Sequence, residues 1–311
     1  MPFIFRAGVW KPRTSPHTFQ GAGEQALAWL QEVQRTFGVP VATEVATPEH
    51  VEAAMKARID YIWIGARTSA NPIAVQNIAE SLSFQAFNPY GIFIKNPVNA
   101  DAQLWLGNIE RLEKTGVSVI AIHRGCNHQP CWRIAHEVRL ARPDVPMLLD
   151  PSHMSGDAAQ VPTLMTKIDE LGLNGAMVEV HHKPSEALSD AKQQITPAVI
   201  SDFLFRFAQT INRERFFRFQ ISDLKDTELN WLRAEIDELD DALWETIYQR
   251  MEVSQRIGKW KKAHGVAPLQ PQRFQQILTQ REAWAKEKGL PEHFVKQLFD
   301  IIHEQSLREQ E

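Results

Sequence analysis

The sequence predicts a parallel α/β domain followed by an all-helical domain, and three observations lead there. Up to about residue 205, short β-rich runs alternate with helical patterns, the arrangement that joins parallel strands through crossover helices. Polar and charged residues gather just after those runs, where a parallel barrel carries its active site. After Phe216 the alternation gives way to an apolar stripe at three-to-four spacing.

Seven strands are predicted, at Phe3 to Trp10, Val39 to Val45, Tyr61 to Ile64, Gly91 to Lys95, Val117 to His123, Val145 to Asp150 and Ala176 to His181. Between them Leu27, Leu30, Val33 and Phe37, and later Leu104, Ile109 and Leu112, recur at helical intervals. The polar groups that follow strands are Lys11 to Ser15, Arg67 to Ser69, Lys95-Asn96, His123-Arg124 and Asp150 to His153. From Leu224 toward Lys262 the stripe of Leu232, Ile236, Leu239, Leu243, Ile247, Met251 and Ile257 predicts one helix roughly 60 Å long. Such a helix buries its stripe only in a bundle or a dimer. Gly265 and Pro268 end it, and helices over 274–288 and from Pro291 to about Gln310 follow. The domain boundaries are 1–205, a linker at 206–222, and 223–311.

A chain of 311 residues with 43% hydrophobic content supports two cores. A net charge of -4 and a pI near 6.3 argue against nucleic acid or an anionic membrane as partner and favour small molecules. The two cysteines, Cys126 and Cys131, are too few for a disulfide framework, so a reducing, cytoplasmic compartment is expected. The first residues are too short for a signal sequence, and no apolar run approaches the ~20 residues of a spanning helix.

Several constellations carry chemistry. His153, Glu179 and Asp190 follow the last two strands; one imidazole and two carboxylates suit a divalent transition metal with an open position. A structural turn histidine with solvated loop carboxylates fits the same spacing. Arg67, Lys95 and Arg124 each follow a different strand, and cations converging from three strand ends favour a phosphorylated or carboxylated ligand. Taken one at a time, each is also an ordinary surface charge. In the helical part Arg233, Arg250 and Lys261, with Arg273 on the next helix, border the apolar seam. They suit a dicarboxylate, or else a charged helix face with i to i+4 pairs.

Seven motifs go further: KPRTSPHTFQG at 11–21, IGAR at 64–67, IKNP at 94–97, HRG at 123–125, DPSH at 150–153, MVEVH at 177–181 and ALSD at 187–190. In combination they resemble the metal-dependent 3-deoxy-7-phosphoheptulonate synthases, in the short form related to the 3-deoxy-octulosonate 8-phosphate synthases. The KPRTS wording is similar to the four-carbon-sugar branch. The resemblance implies a TIM-type (β/α)8 barrel that condenses phosphoenolpyruvate with erythrose 4-phosphate. It places Arg67, Lys95 and Arg124 on the phosphoenolpyruvate phosphate, Arg6 and Lys11 near its carboxylate, and Arg13, Thr14 and Ser15 on the aldehyde phosphate. It makes His153, Glu179 and Asp190 ligands of Mn2+ or a similar ion, with Lys11 and Lys95 catalytic. Family members carry an upstream strand-and-helix unit whose Ala-Gly-Pro-Cys-Ser stretch adds a fourth metal ligand. The present sequence starts after it, so the barrel is expected without its first βα unit, with unpaired strand edges. Cys126 is a candidate replacement ligand, or simply a buried thiol.

LRAEIDELD at 232–240, QR at 249–250, IGKWK at 257–261 and LFDIIHEQS at 298–306 resemble the all-helical chorismate mutases, without a gap from Arg233 to Gln310. That resemblance implies a three-helix domain that dimerises and converts chorismate to prephenate without a cofactor. Arg233 (reaching across a dimer), Arg250 and Arg273 would hold carboxylates and nearby oxygens, Ser306 would line the carboxylate side, and Lys261 and Gln310 would donate to the ether oxygen. Gln270 stands where an acidic residue is usual and Phe274 where a hydroxyl-binding glutamate is usual, so hydroxyl recognition is expected to differ. The leading expectation is a bifunctional shikimate-pathway enzyme. The alternative is an active mutase attached to an inactive barrel with a regulatory or interaction role.

Overall fold

The computed structural model describes residues 3–13, 15, 17–210, 224–267 and 269–310. Thr14, Pro268 and most of the expected linker lie outside the described residues. In chain order the elements are β1 (Phe5–Arg6), α1 (Gln25–Phe37), β2 (Val41–Val45), α2 (Pro48–Lys56), β3 (Tyr61–Ile64), α3 (Ala66–Ser69), α4 (Pro72–Ser83), β4 (Gly91–Lys95), α5 (Ala102–Glu113), β5 (Val119–His123), α6 (Trp132–Ala141), β6 (Met147–Leu149), α7 (Pro151–Ser155), α8 (Val161–Glu170), β7 (Gly175–Ala176), α9 (Pro197–Thr210), α10 (Leu224–His264), α11 (Pro271–Lys288) and α12 (Glu292–Arg308).

The seven strands pair in parallel in the order β1-β2-β3-β4-β5-β6-β7 and curl into a half-barrel. The first six lie within the β-rich runs that predict them, β1 being shorter than its run, whereas β7 begins one residue before the run predicted from Ala176 to His181 and overlaps it only at Ala176. Beyond β7 the chain makes one further parallel bridge, Val180 to Ile195. The helices start where side chains replace missing intrahelical partners: Thr47, Asn71 and Asp101 accept backbone N–H groups at the heads of α2, α4 and α5, and proline opens α2 and α4.

The period-two alternation of the strands divides the core in two. Val41, Val45, Ile62, Ile64, Ile92 and Ile94 join the layer between sheet and helices. Ala42, Trp63, Phe93, Ile122 and Met177 form a separate cluster on the other face, with Ile4, Tyr61, Ile120 and Leu148 against it. That second cluster is the barrel's inner layer. Of the predicted apolar positions, Leu27, Leu30, Ile109 and Leu112 are buried. Phe37 is 71% exposed, because it ends α1 just before the left-handed Gly38 turns the chain away.

The chain divides into two compact units, Met1–Glu235 and Ile236–Glu311. The first extends into α10 because Trp231 and Ala234 belong to the barrel's core. Trp231 is 1% exposed. Its indole N–H donates to the Leu171 carbonyl at 3.1 Å, its ring stacks on His136 at 5.6 Å and meets Trp132 edge-on, and His136 Nδ1 lies 2.6 Å from Glu235. Trp231→Ala is expected to cost about 3–5 kcal/mol by leaving a cavity and an unpaired carbonyl; a urea midpoint equal to that of the parent chain would count against this docking.

The second unit holds the rest of α10, which is 41 residues long as the stripe predicts, with α11 and α12. Gly258 fixes the approach of α10 to α12, since a Cβ there would lie 2.6 Å from the Gln310 Cα.

Candidate active sites

The inner-layer register continues past the apolar residues into the barrel mouth. Two residues beyond Ile4, Ala42, Phe93, Ile122, Leu148 and Met177 stand Arg6, Glu44, Lys95, Arg124, Asp150 and Glu179. Successive side chains of a strand point to opposite faces, so all six share the inner face. Five of them line one cavity of about 540 Å3, together with Lys11, Arg13, Arg67, His153 and Asp190. Asp150 is fully buried beneath it. Ser15 is exposed.

The charges inside this mouth pair closely. Lys95 Nζ donates to Asp150 Oδ2 at 2.6 Å, and the two side chains are 6% and 0% exposed. The other Asp150 oxygen accepts from the His153 backbone N–H at 3.1 Å and lies 3.2 Å from His153 Nδ1. His153 Nε2 lies 3.9 Å from Glu179 Oε1. Arg6 lies 3.3 Å from the same Glu179 oxygen and 5.1 Å above the Trp63 ring. Gln193 donates to Glu179 Oε2 at 2.8 Å. Arg124 donates to the His153 carbonyl, and its backbone N–H to Asn96 Oδ1 at 2.7 Å. Arg67 reaches the Pro12 carbonyl at 3.3 Å.

These contacts set the ionisation of the mouth. Burial resists charge on Asp150, but His153 and Lys95 outweigh it and hold the carboxyl well below its ordinary value. Glu179 follows the same pattern, with burial opposed by His153 and Arg6. Burial likewise opposes ionisation of Asp190, and Arg13 and Lys11 overcome it. Glu44 goes the other way: burial raises its pKa against the pull of Lys95 and Arg6. Its carboxylate fills the space beside Gly65, where a Cβ would stand 2.1 Å from Glu44 Oε1, which explains the glycine of IGAR.

Three depressed carboxyls against one raised one fix the sign of the acid response. Groups with lowered native pKa contribute stability above their unfolded value of about 4, and that stability is lost as the unfolded chain takes up protons first. The barrel is expected to lose thermal stability steeply as pH falls below ~4.5. A melting temperature flat between pH 5 and 3 would contradict these pairings.

The metal-type donors are only partly assembled. His153 and Glu179 face each other, but Arg13 grips Asp190 with two bonds of 3.0 and 2.7 Å, and Lys11 lies 3.5 Å from it. Among the described residues no three His, Cys, Asp or Glu side chains converge on one point. One imidazole and two carboxylates fit a borderline divalent ion in chemistry, but Asp190 is engaged by Arg13 and Lys11 here. Cys126 is buried, with its sulfur 4.0 Å from Asn96 Nδ2, and is not among the residues lining the cavity.

In the second unit Arg250 donates to Ser306 Oγ and to the Ile302 carbonyl, and Lys261 Nζ donates to Gln310 Oε1 at 2.9 Å. Gln310 is 9% exposed and Ser306 3%. These four predicted residues pair off between α10 and α12. Arg233 and Arg273 are exposed, the first well before Arg250 on α10 and the second on the opening turn of α11. Gln270 precedes α11 as its N-cap, and Phe274 packs on Phe299 and His303.

Sequence reasoning by motif passed over Glu44 and gave no role to Asp150, although it stands in DPSH, or to His303, although it stands in LFDIIHEQS. The inner-face register would have found the first two, because each continues a strand's alternation by one step.

The folded chain is thus an open (β/α) half-barrel whose mouth is lined by more cations than carboxylates, followed by a helical unit. Residues 1–213 match the DAHP synthetase I family and residues 232–311 match chorismate mutase type II. The chain is 30% identical over 209 residues to a phospho-2-dehydro-3-deoxyheptonate aldolase of Thermotoga maritima, covering 62% of this chain and 56% of that protein. The crystal structure of the Thermotoga maritima phospho-2-dehydro-3-deoxyheptonate aldolase (DAHP synthase) superposes with a TM-score of 0.57 and 26% identity, over 66% of this chain and 60% of that one. The chain therefore spans less than two thirds of the length of these relatives. Over 78 residues it is 37% identical to a 4-amino-4-deoxychorismate mutase of Streptomyces venezuelae, covering 25% of this chain and 76% of that protein. The chain belongs to the DAHP synthetase I family and carries a chorismate mutase type II region at its C-terminal end.

Proposed function

We propose that the chain is a bifunctional enzyme of aromatic biosynthesis. Its barrel condenses phosphoenolpyruvate with erythrose 4-phosphate, and its helical region, 223–311, rearranges chorismate to prephenate. The observation that carries the barrel reading is the row of charged residues continuing the inner register around one cavity. Lys95, Arg67 and Arg124 hold the phosphoenolpyruvate phosphate, Lys11 and Arg6 its carboxylate, and Arg13, Thr14 and Ser15 the aldehyde phosphate. Their fixed cations stabilise charge that develops during condensation. His153 and Glu179, with Asp190 once it leaves Arg13, hold a divalent ion such as Mn2+, which when bound supplies Lewis acidity toward the aldehyde.

The rearrangement needs no nucleophile. Arg250, Arg233 from a second protomer and Arg273 clamp the dicarboxylate, Ser306 lines that side, and Lys261 and Gln310 stabilise the breaking C–O bond. The homodimer is supported by the exposed apolar face of α10, where Ile236, Leu239 and Leu243 are 57%, 68% and 46% exposed. Among the described residues no helix is long and apolar enough to cross a membrane. A sequence with only two cysteines favours a cytoplasmic location.

A second reading of the helical site is favoured by one observation. Phe274, where the chorismate mutases usually carry a hydroxyl-binding glutamate, packs on a histidine, and the Streptomyces relative is named for the 4-amino substrate. On this reading the site takes 4-amino-4-deoxychorismate.

The deciding assay follows phosphoenolpyruvate consumption with erythrose 4-phosphate and Mn2+, with chorismate disappearance in a parallel tube. Consumption that a chelator abolishes is the expected result. Chorismate loss without any phosphoenolpyruvate consumption would leave only the mutase half standing, and consumption unaffected by chelator would remove the ion from the proposal.

A further inference from the structure

His303 contributes a polar atom that the proposed rearrangement leaves unused. His303 and Ser306 are three residues apart on α12 and share a helix face, and Gln310 follows in the turn just past the end of that helix. Ser306 and Gln310 pair with Arg250 and Lys261, so a molecule lying across both cations meets that face. The His303 ring is 4.5 Å from Phe274 and 5.9 Å from Phe299, which are themselves 5.5 Å apart. Its Nε2 is buried and has no hydrogen-bond partner, an arrangement that costs free energy until a ligand supplies one.

The surroundings decide which chemistry suits that atom. Burial lowers the His303 pKa, the positive charges of Arg250 and Lys261 act in the same direction, and Asp300 opposes them. At neutral pH the ring is therefore uncharged and, with its proton on Nδ1, offers a lone pair at Nε2. On the proposed reading Arg250 already answers an acidic group of the ligand and Lys261 its ether oxygen. What the third wall offers is one neutral acceptor and two aromatic faces, which suit a donor carrying positive charge.

We propose that His303, walled by Phe274 and Phe299, accepts a hydrogen bond from an amino substituent on the substrate ring and so selects an amino-bearing dicarboxylate over its hydroxyl analogue. The inference rests on the mutase reading of this unit. It makes His303 the residue that separates the two substrates named above.

The test uses the purified full chain with chorismate and 4-amino-4-deoxychorismate, measuring kcat/KM for rearrangement and, separately, affinity by calorimetry. The parent chain is expected to favour the amino compound. His303→Leu is expected to lower that preference about tenfold, and His303→Gln, which keeps an acceptor, to restore part of it. A purely structural histidine would weaken both substrates equally and leave their ratio unchanged, which would overturn the proposal. Preferential binding of the amino compound that depends on His303, without rearrangement of either compound, would uphold the specificity role and discard the mutase activity. Equal affinity of the parent chain for both compounds would overturn the role even if both are rearranged.

Discussion

Asp150→Ala is expected to destabilise the barrel by about 3–5 kcal/mol and to abolish phosphoenolpyruvate consumption. The substitution strands Lys95, whose side chain is 6% exposed and whose ammonium sits 2.6 Å from Asp150. An uncompensated buried cation is the costly outcome of breaking such a pair. The same carboxylate also caps α7 and orients the His153 ring, so the loss reaches the histidine that faces Glu179. A double variant separates stability from chemistry. Replacing both partners, Lys95→Met with Asp150→Leu, removes the stranded charge and is expected to recover much of the stability, while turnover is expected to stay lost because the ammonium proposed to hold the phosphate is gone. Urea midpoints and phosphoenolpyruvate consumption on the three proteins read the two effects independently. Recovery of turnover in the double variant would remove Lys95 from the proposed chemistry.

Lys261→Ala is expected to lower the rearrangement rate by about 10²–10³-fold, the usual loss for one preorganised donor aimed at developing negative charge. Its ammonium is held by Gln310 at 2.9 Å, a charged donor already fixed in place. Gly258→Ala tests the same geometry without removing a functional group. The new methyl meets Gln310 backbone atoms at 2.6 and 2.8 Å, so the end of α12 must shift and Gln310 with it. A kcat loss in both variants with helical content unchanged by circular dichroism is expected. Full rearrangement by Gly258→Ala would show that the placement of Gln310 is immaterial.

Much of this molecule was legible in one dimension. The β-rich runs foretold seven strands because their period-two alternation matches the pleat, and the three-to-four stripe foretold α10 almost to its last residue. The motif residues Arg67, Lys95, Arg124, His153, Glu179 and Asp190 did converge on one cavity, since strand ends in a parallel barrel share a mouth. Asp150 and Glu44 were equally available from the alternation, but a carboxylate after an apolar strand reads as a solvated loop charge until burial is known.

Pairing was not legible. The hold of Arg13 on Asp190, which keeps that carboxylate apart from His153 and Glu179, depends on distances between residues far apart in the chain. The docking of Trp231 into the barrel core depends on a surface made by α6 and α8. His303 looked like one polar position on an amphipathic helix, and only the rings of Phe274 and Phe299 beside it gave it a candidate role. The sequence by itself determined the elements, their order and the two families, because periodicity and motif spacing are local. Tertiary structure alone decided which charges neutralise one another and which polar atoms stay unpaired, because burial and Coulomb interaction depend on distance in space rather than along the chain.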